Sequence, residues 1–372
     1  MSSTKRALIV LAALLLCLIA AGTIFYYRQN RPLPPIVAGT AATQALVTQS
    51  ASVLNQLPPD APVVAYIDAD SLRTLQNSPL AAALGLATPG PQADRDYEEF
   101  VRGTGFDYTR DLDHAAIALW PASFGTPANV LGDDRVLAIA DGRFDQQKIL
   151  AYALRTGKQL TRGAQLVVEV PGNPPISLTF LSPTRIAIAG GKDATDILDK
   201  INSSGSGSGS RDRALQSRLQ RVAGAPIFAV ARTDRLPASF YANFSGAPQL
   251  EQLARSIQAL TLAGQPDGTN LKLTLDAESD SMKDALQISF LLETGKMAGS
   301  IALSDPNTRR QMSKEQIAFL QALINQAQIT HQSKMVRIVL DVTPAMLNAA
   351  PPPKASGTSP QAARPAAPAS AY

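Results

Sequence analysis

Two histidines and one cysteine, His114, His331 and Cys17, are all that this 372-residue chain offers for the commonest metal and nucleophile chemistry. A structural zinc site closes on about four nitrogen or sulfur ligands. Here the histidines lie far apart and Cys17 sits in an apolar run, so no metal site is assigned. A Ser–His–acid set would have to use His114 or His331, and the nucleophile-elbow pattern G-x-S-x-G is absent. His114 stands at a strand entry after Asp113. His331 follows a helix, whose C-terminal dipole favours it. Gly190-Gly191-Lys192-Asp193 lacks the earlier glycine and the Ser or Thr after lysine that a phosphate loop needs. It therefore reads as a strand-to-helix turn. Asp276-Ala277-Glu278-Ser279-Asp280 has calcium-like composition without the spacing or glycine of a calcium loop. The carboxylate pairs Asp68/Asp70, Asp111/Asp113 and Asp133/Asp134 could do acid–base work, but each falls where caps and turns use aspartate. No catalytic, cofactor-binding or metal-ligating residue is assigned, and no cofactor is expected.

The elements that would position these residues are ordered around Ala7–Tyr27, twenty-one uncharged residues flanked by Lys5, Arg6, Arg28 and Arg31. At about 1.5 Å per residue such a helix is roughly 30 Å long, enough for the hydrocarbon core of a bilayer. Phe25, Tyr26 and Tyr27 suit the water–lipid boundary. The competing reading is a cleaved secretory signal ending at Ala20-Ala21-Gly22; the apolar run continuing through Phe25 favours a retained anchor. The flanking charges tie, while the very short N-terminal tail and a body without cysteine favour a translocated body. A net charge of +4, spread among acidic residues, argues against nucleic-acid binding. The densest basic stretch, Arg211–Arg221, reads as a solvated helix face.

Composition divides the chain into a tail and anchor over 1–30, a linker or stalk over 31–59, a first module over 60–202, a Gly/Ser linker over 203–210, a second module over 211–348, and an Ala/Pro-rich disordered tail over 349–372. In the stalk, Ala41–Leu57 has helical spacing. In the first module, Pro62–Asp68 reads as a strand and Leu72–Leu84 as a helix capped at Asp70-Ser71. Strands are predicted at His114–Trp120, Arg135–Ala140, Gln165–Val170, Ile176–Leu181 and Thr184–Ala189, with helices capped by Asp145 and Asp193. The second module carries a long helix over Pro306–Gln328, capped by Asp305, and a strand at Met335–Val342.

Two echoes link the modules. Ala61-Pro62-Val63-Val64-Ala65-Tyr66, followed by Asp70 and Leu72, matches Ala225-Pro226-Ile227-Phe228-Ala229-Val230, followed by Asp234 and Leu236. Arg135–Asp141 with Asp145 and Lys148 matches Asn270–Asp276 with Asp280 and Lys283. Together they predict an internal duplication. The fold class is α+β, with two related modules, each a mainly antiparallel sheet with helices on one face.

Leu57-Pro58-Pro59-Asp60-Ala61-Pro62-Val63-Val64-Ala65-Tyr66-Ile67-Asp68, then Leu72 and Ser78-Pro79-Leu80, resembles the opening of the exported region in uncharacterised bacterial single-pass envelope proteins. Gly105-Phe106-Asp107 and Arg110–Asp113 are similar to a segment of the same group. The resemblance spans the anchor and first module. It implies a bacterial inner-membrane setting with the bulk facing the periplasm or cell exterior, and no functional residues. The function expected is a membrane-anchored binding or scaffolding protein with a protein or envelope-component partner. The alternatives are an envelope hydrolase using carboxylates and a carrier or sensor for an apolar ligand.

Overall fold

A computed structural model of the chain describes residues 41–73, 95–122, 134–162, 165–172, 174–204, 213–242, 248–310 and 312–349. The predicted anchor Ala7–Tyr27, most of the predicted Leu72–Leu84 helix, most of the predicted Gly/Ser linker and the predicted C-terminal tail lie outside them. Among the described residues no helix is long and apolar enough to cross a membrane.

The chain is α+β, and its described residues build one antiparallel sheet of twelve strands. In chain order these are β1 (Val63–Asp68), β2 (Leu112–Trp120), β3 (Arg135–Gly142), β4 (Lys158–Arg162), β5 (Gln165–Val170), β6 (Ile176–Ser182) and β7 (Arg185–Gly190). They continue with β8 (Ile227–Arg232), β9 (Ile257–Asp267), β10 (Asn270–Ser279), β11 (Gln328–Gln332) and β12 (Met335–Val342). Their spatial order is β11-β12-β10-β9-β8-β1-β2-β3-β7-β6-β5-β4. The two predicted modules are therefore not separate bodies on a linker, because β1 of one pairs directly with β8 of the other.

That central pairing has two-fold character. Ala65 and Ala229, equivalent in the first echo, face each other, flanked by Val63 opposite Ala231 and Ile67 opposite Ile227. The same bond closes each end of the ladder: Asp68 N to Pro226 O at 2.7 Å, and Arg232 N to Pro62 O at 2.8 Å. Outward from this pair, β2, β3, β7 and β6 on one side stand in the order of β9, β10, β12 and β11 on the other; β5 and β4 extend only the first side.

Helices cover both sheet faces, where one was expected. The physical reason lies in the outer strands, which turn apolar residues to the second face as well. These are Val168, Leu178 and Ile186 in one half and Ala277 and Val336 in the other, whereas β1 and β8 bury one face only. On one face lie α1 (Ala41–Leu54), then, later in the chain, α6 (Ala194–Ser204) and α7 (Arg213–Val222). Val53, Leu57, Ile197, Leu198, Leu215 and Val222 from this layer meet Val64, Tyr66, Leu137, Phe228 and Val230 in the largest core. The stalk is thus corrected: from Val53 onward that segment is packed into the body. Between α1 and α6 in sequence come α2 (Ala69–Arg73), α3 (Arg95–Thr104), α4 (Tyr108–Asp111) and α5 (Gln146–Ala153). Asp68, rather than Asp70-Ser71, caps α2 by accepting from Ser71 N and Oγ, both at 2.9 Å. Ile149 and Ala153 of α5 cover Val168, Leu178 and Ile186 on the opposite face.

In the second half come α8 (Ala238–Ala242), α9 (Pro248–Arg255), α10 (Met282–Ser304), α11 (Pro306–Arg310), α12 (Lys314–Gln326) and α13 (Pro344–Ala349). Here the long helix is α10, and the stretch predicted as one helix over 306–328 divides into α11, α12 and the start of β11. Two caps enforce the division. Asp305 accepts from Thr308 N at 3.0 Å to start α11, and Ser313 forms a capping box with Gln316 to start α12. Burial of Ala285, Ile288 and Leu292 against Ala277 and Val336 carries α10 through Gly295, overriding its low helix propensity.

Candidate functional site

The second echo places Asp141 on β3 and Asp276 on β10, and each meets an arginine from the next strand outward. Arg185 on β7 donates to Asp141 through Nε at 2.6 Å and Nη2 at 2.5 Å. Arg337 on β12 donates to Asp276 through Nε at 2.6 Å and Nη2 at 2.8 Å. Both are forked guanidinium–carboxylate pairs, the geometry that holds charge most firmly. Hydrogen bonding to Asp141 raises the Arg185 guanidinium further above its ordinary value. Each aspartate has both carboxylate oxygens engaged by its arginine.

What differs between the halves is the residue inward of each aspartate. Asp276 faces Thr261, whereas Asp141 faces His114. His114 stands near the start of β2, as expected of a strand-entry residue, and is buried there. Its Nδ1 lies 2.8 Å from Gln49 Nε2 of α1. Its Nε2 lies 2.8 Å from Asp141 Oδ2, off the direction of a hydrogen bond. One helical turn on, Arg185 reaches Ser52, with Nη2 3.2 Å from Oγ and Nη1 3.4 Å from the carbonyl oxygen. Nδ1 is thus taken up by Gln49 while Nε2 only abuts the Asp141 carboxylate, and the cluster clamps α1 to the sheet rather than activating a nucleophile. Tyr66 lies beneath, its ring 6.0 Å from His114 and stacked 5.2 Å from Phe228. Burial first, then Asp68 and Asp141, push its phenol well above the ordinary range, so it stays neutral.

Gln49→Ala is expected to loosen this clamp by about 1–3 kcal/mol, because His114 Nδ1 loses its donor in a buried place. Hydrogen exchange of the amides over 49–54 should quicken while those of α7 keep their protection.

On its other side α1 forms a cleft with α7. Val47, Ser50, Ala51 and Leu54 make one wall, Leu215, Gln216, Leu219 and Gln220 the other, and Val64 lies at the floor. Its volume is about 300 Å³, and among the described residues its lining contains apolar and neutral amide or hydroxyl groups but no charged side chain. A second hollow under α10, lined by residues such as Phe240, Leu253 and Leu292, is apolar but only about 100 Å³. Ligand pockets begin near 300 Å³, so the second is packing space.

The other residues singled out in the sequence are dispersed. Asp70 and Asp113 sit 3.0 and 3.6 Å from Arg73. Asp111 lies 2.6 Å from Arg110, whose hydrogen bond holds the carboxyl below its ordinary range. Asp134 accepts from Ala122 N at 2.8 Å; Asp133 lies outside the described residues. Gly190–Asp193 is the turn from β7 into α6. Gly191 has φ +116°, and a Cβ there would meet Asp134 O at 2.7 Å. His331 lies within β11 rather than at a helix end. Among the described residues, no three His, Cys, Asp or Glu side chains converge as a metal site requires. The basic stretch on α7 is corrected in part: Arg218 is buried, and its Nε and Arg221 Nη2 reach Glu278 Oε2 at 3.0 and 3.3 Å. Burial raises the Glu278 carboxyl, but the two arginines outweigh it and hold the group below its ordinary value.

Sequence reasoning missed Gln49, Ser52 and Arg185 as a unit. The one available signal was an aspartate repeated at the same place in both echoes.

No protein-family model matches the chain, and no curated protein matches it. Five chains of solved structures do. Crystal form III of TP0453 is 11% identical with a TM-score of 0.41, covering 80% of this chain and 96% of that one. Crystal form I is 10% identical with a TM-score of 0.40, covering 80% and 94%. Crystal form IV is 12% identical with a TM-score of 0.40, covering 81% and 96%. Likeness at this level says nothing of function.

Proposed function

We propose that this chain is a membrane-anchored, extracytoplasmic binding protein without catalytic activity, gripping a partner in the cleft between α1 and α7. The observation that carries this reading is the cleft's lining, apolar with neutral hydrogen-bonding groups and no charge. Such a surface receives the apolar side chains of a partner's helix or strand, as grooves between helices commonly do. A hydrolase using carboxylates would need an acid raised toward neutrality beside a cleft. The carboxyls with a resolved shift, Asp107, Asp111, Asp145, Glu278 and Glu315, are all shifted the other way.

The anchor is Ala7–Tyr27, a single pass through the bacterial inner membrane with the body on the periplasmic or outer side. The two halves descend from one duplicated module. The Ala65–Ala229 dyad, the mirrored strand order and the repeated Asp–Arg pair support that descent. One half then acquired His114 and its grip on α1, which sets up the cleft on one side only.

The test is a photo-crosslinking residue at Leu219 in the full chain, expressed in membranes of its host. A discrete protein adduct is expected, abolished when Ala51→Trp fills the opposite wall. An adduct indifferent to Ala51→Trp overturns the cleft as the gripping site.

A further inference from the structure

We propose that the outer face of α10 lies against the bilayer that holds the tether, so that the body is laid on the membrane surface rather than held off it. This rests on the anchor reading above, and it concerns the sheet face opposite the α1/α7 cleft.

Helix α10 is apolar on two sides. Its inner side, Ala285, Ile288 and Leu292, is buried against Ala277 and Val336. At 100° per residue, Phe290, Met297 and Ile301 fall within about 40° of one another on the opposite side. They are 58%, 45% and 65% exposed, and Met282 at the same helix's start is 61% exposed. A surface helix ordinarily has one apolar stripe and a polar back. Here the back is apolar too, along a rod of 23 residues, about 34 Å long.

Charge selects the occupant. Lys283 lies on the exposed stripe near its N-terminal end, and Arg309, Arg310 and Lys314 are exposed just beyond its C-terminal end. Against these stand the exposed acids Asp280, which accepts from Gln258 Nε2, and Glu315. An apolar stripe with cations at both ends matches an interfacial helix on anionic lipid. A second copy packing stripe to stripe across a two-fold axis would set Arg309 and Arg310 of one chain beside Lys283 of the other, like against like.

The tether permits this pose. Arg28–Thr40, the thirteen residues between the anchor and α1, reach at most roughly 45 Å. A helix–sheet–helix body is about 30 Å thick, so a chain leaving α1 on one face can enter the bilayer beneath the other.

The experiment uses the full chain carrying Cys17→Ser and one introduced cysteine, Phe290→Cys, Met297→Cys or Ile301→Cys, labelled with an environment-sensitive fluorophore. Ser217→Cys, exposed on α7 across the sheet, is the control. Vesicles contain phosphatidylethanolamine, phosphatidylglycerol and spin-labelled lipid. Quenching at 290, 297 and 301 is expected to be roughly threefold that at 217, and to fall when Arg309→Glu and Arg310→Glu are combined. A chain that washes off the vesicles overturns the tether and the docking together. A chain that stays with equal quenching at 297 and 217 overturns the docking alone. A label at 297 shielded from both spin-labelled lipid and aqueous iodide assigns the stripe to a protein contact, and also overturns it.

Discussion

Asp276→Ala is expected to cost about 3–5 kcal/mol of unfolding free energy, because it removes one partner of a buried ion pair. The Asp276 and Arg337 side chains are only 1% and 5% exposed. Alanine leaves a guanidinium among apolar strands without the carboxylate that balanced it. The measurement is urea unfolding, followed by the fluorescence of Trp120, the only tryptophan. Replacing both partners by apolar residues, Asp276→Leu with Arg337→Met, should recover most of the loss, since the pair's own net contribution is small. A single variant within 1 kcal/mol of the parent, roughly the worth of an exposed pair, would mean that solvent reaches it. The corresponding pair Asp141–Arg185 is more exposed, at 13% and 18%, and its loss should cost less.

Phe228→Ala should be nearly as costly, about 3–5 kcal/mol, because it empties a fully buried aromatic site. Its position makes it informative. Phe228 lies on β8 directly opposite Tyr66 of β1, so the void opens at the join between the halves. In an unbroken sheet the loss is shared. Trp120 fluorescence in the first half and hydrogen exchange of β10 and β12 in the second should shift to one new midpoint. A variant that melts β10 and β12 while Trp120 keeps its parental transition would show two independent bodies.

Much of the strand pattern was legible because it is local. The predicted strands at 114–120, 135–140, 165–170, 176–181 and 335–342 all form, with ends moved by no more than two residues. The aspartates at 145 and 193 stand immediately before helices, as their capping chemistry dictates. The strands β4, β9 and β11 were not foreseen. Lys158–Arg162 and Gln328–Gln332 carry little apolar alternation, and Ile257–Asp267 contains Gly264 and Pro266. Each becomes a strand because a neighbour supplies the ladder.

The echoes suggested two modules but could not say that both halves of the chain share a sheet. Which edge pairs with which depends on contacts across more than 160 positions of chain, such as Ala65 with Ala229. The cleft was illegible for the same reason. Gln49 and His114 meet across 65 positions, Ser52 and Arg185 across 133. No periodicity in α1 distinguishes a helix gripped through an amide and a hydroxyl from a free stalk.

The two rims of the sheet bear on how the protein lives at high surface density. An outermost strand exposes unpaired amides and carbonyls that can template another chain. Here one rim is β4, five residues with Lys158 and Arg162 at its tips, and the other is β11, five residues whose only apolar side chain is Ile329. Short, polar or cationic margins of this kind discourage edge-to-edge zippering. Neighbouring molecules at high concentration can therefore collide sideways without fusing into a ribbon, and the sheet stays closed to growth at both rims.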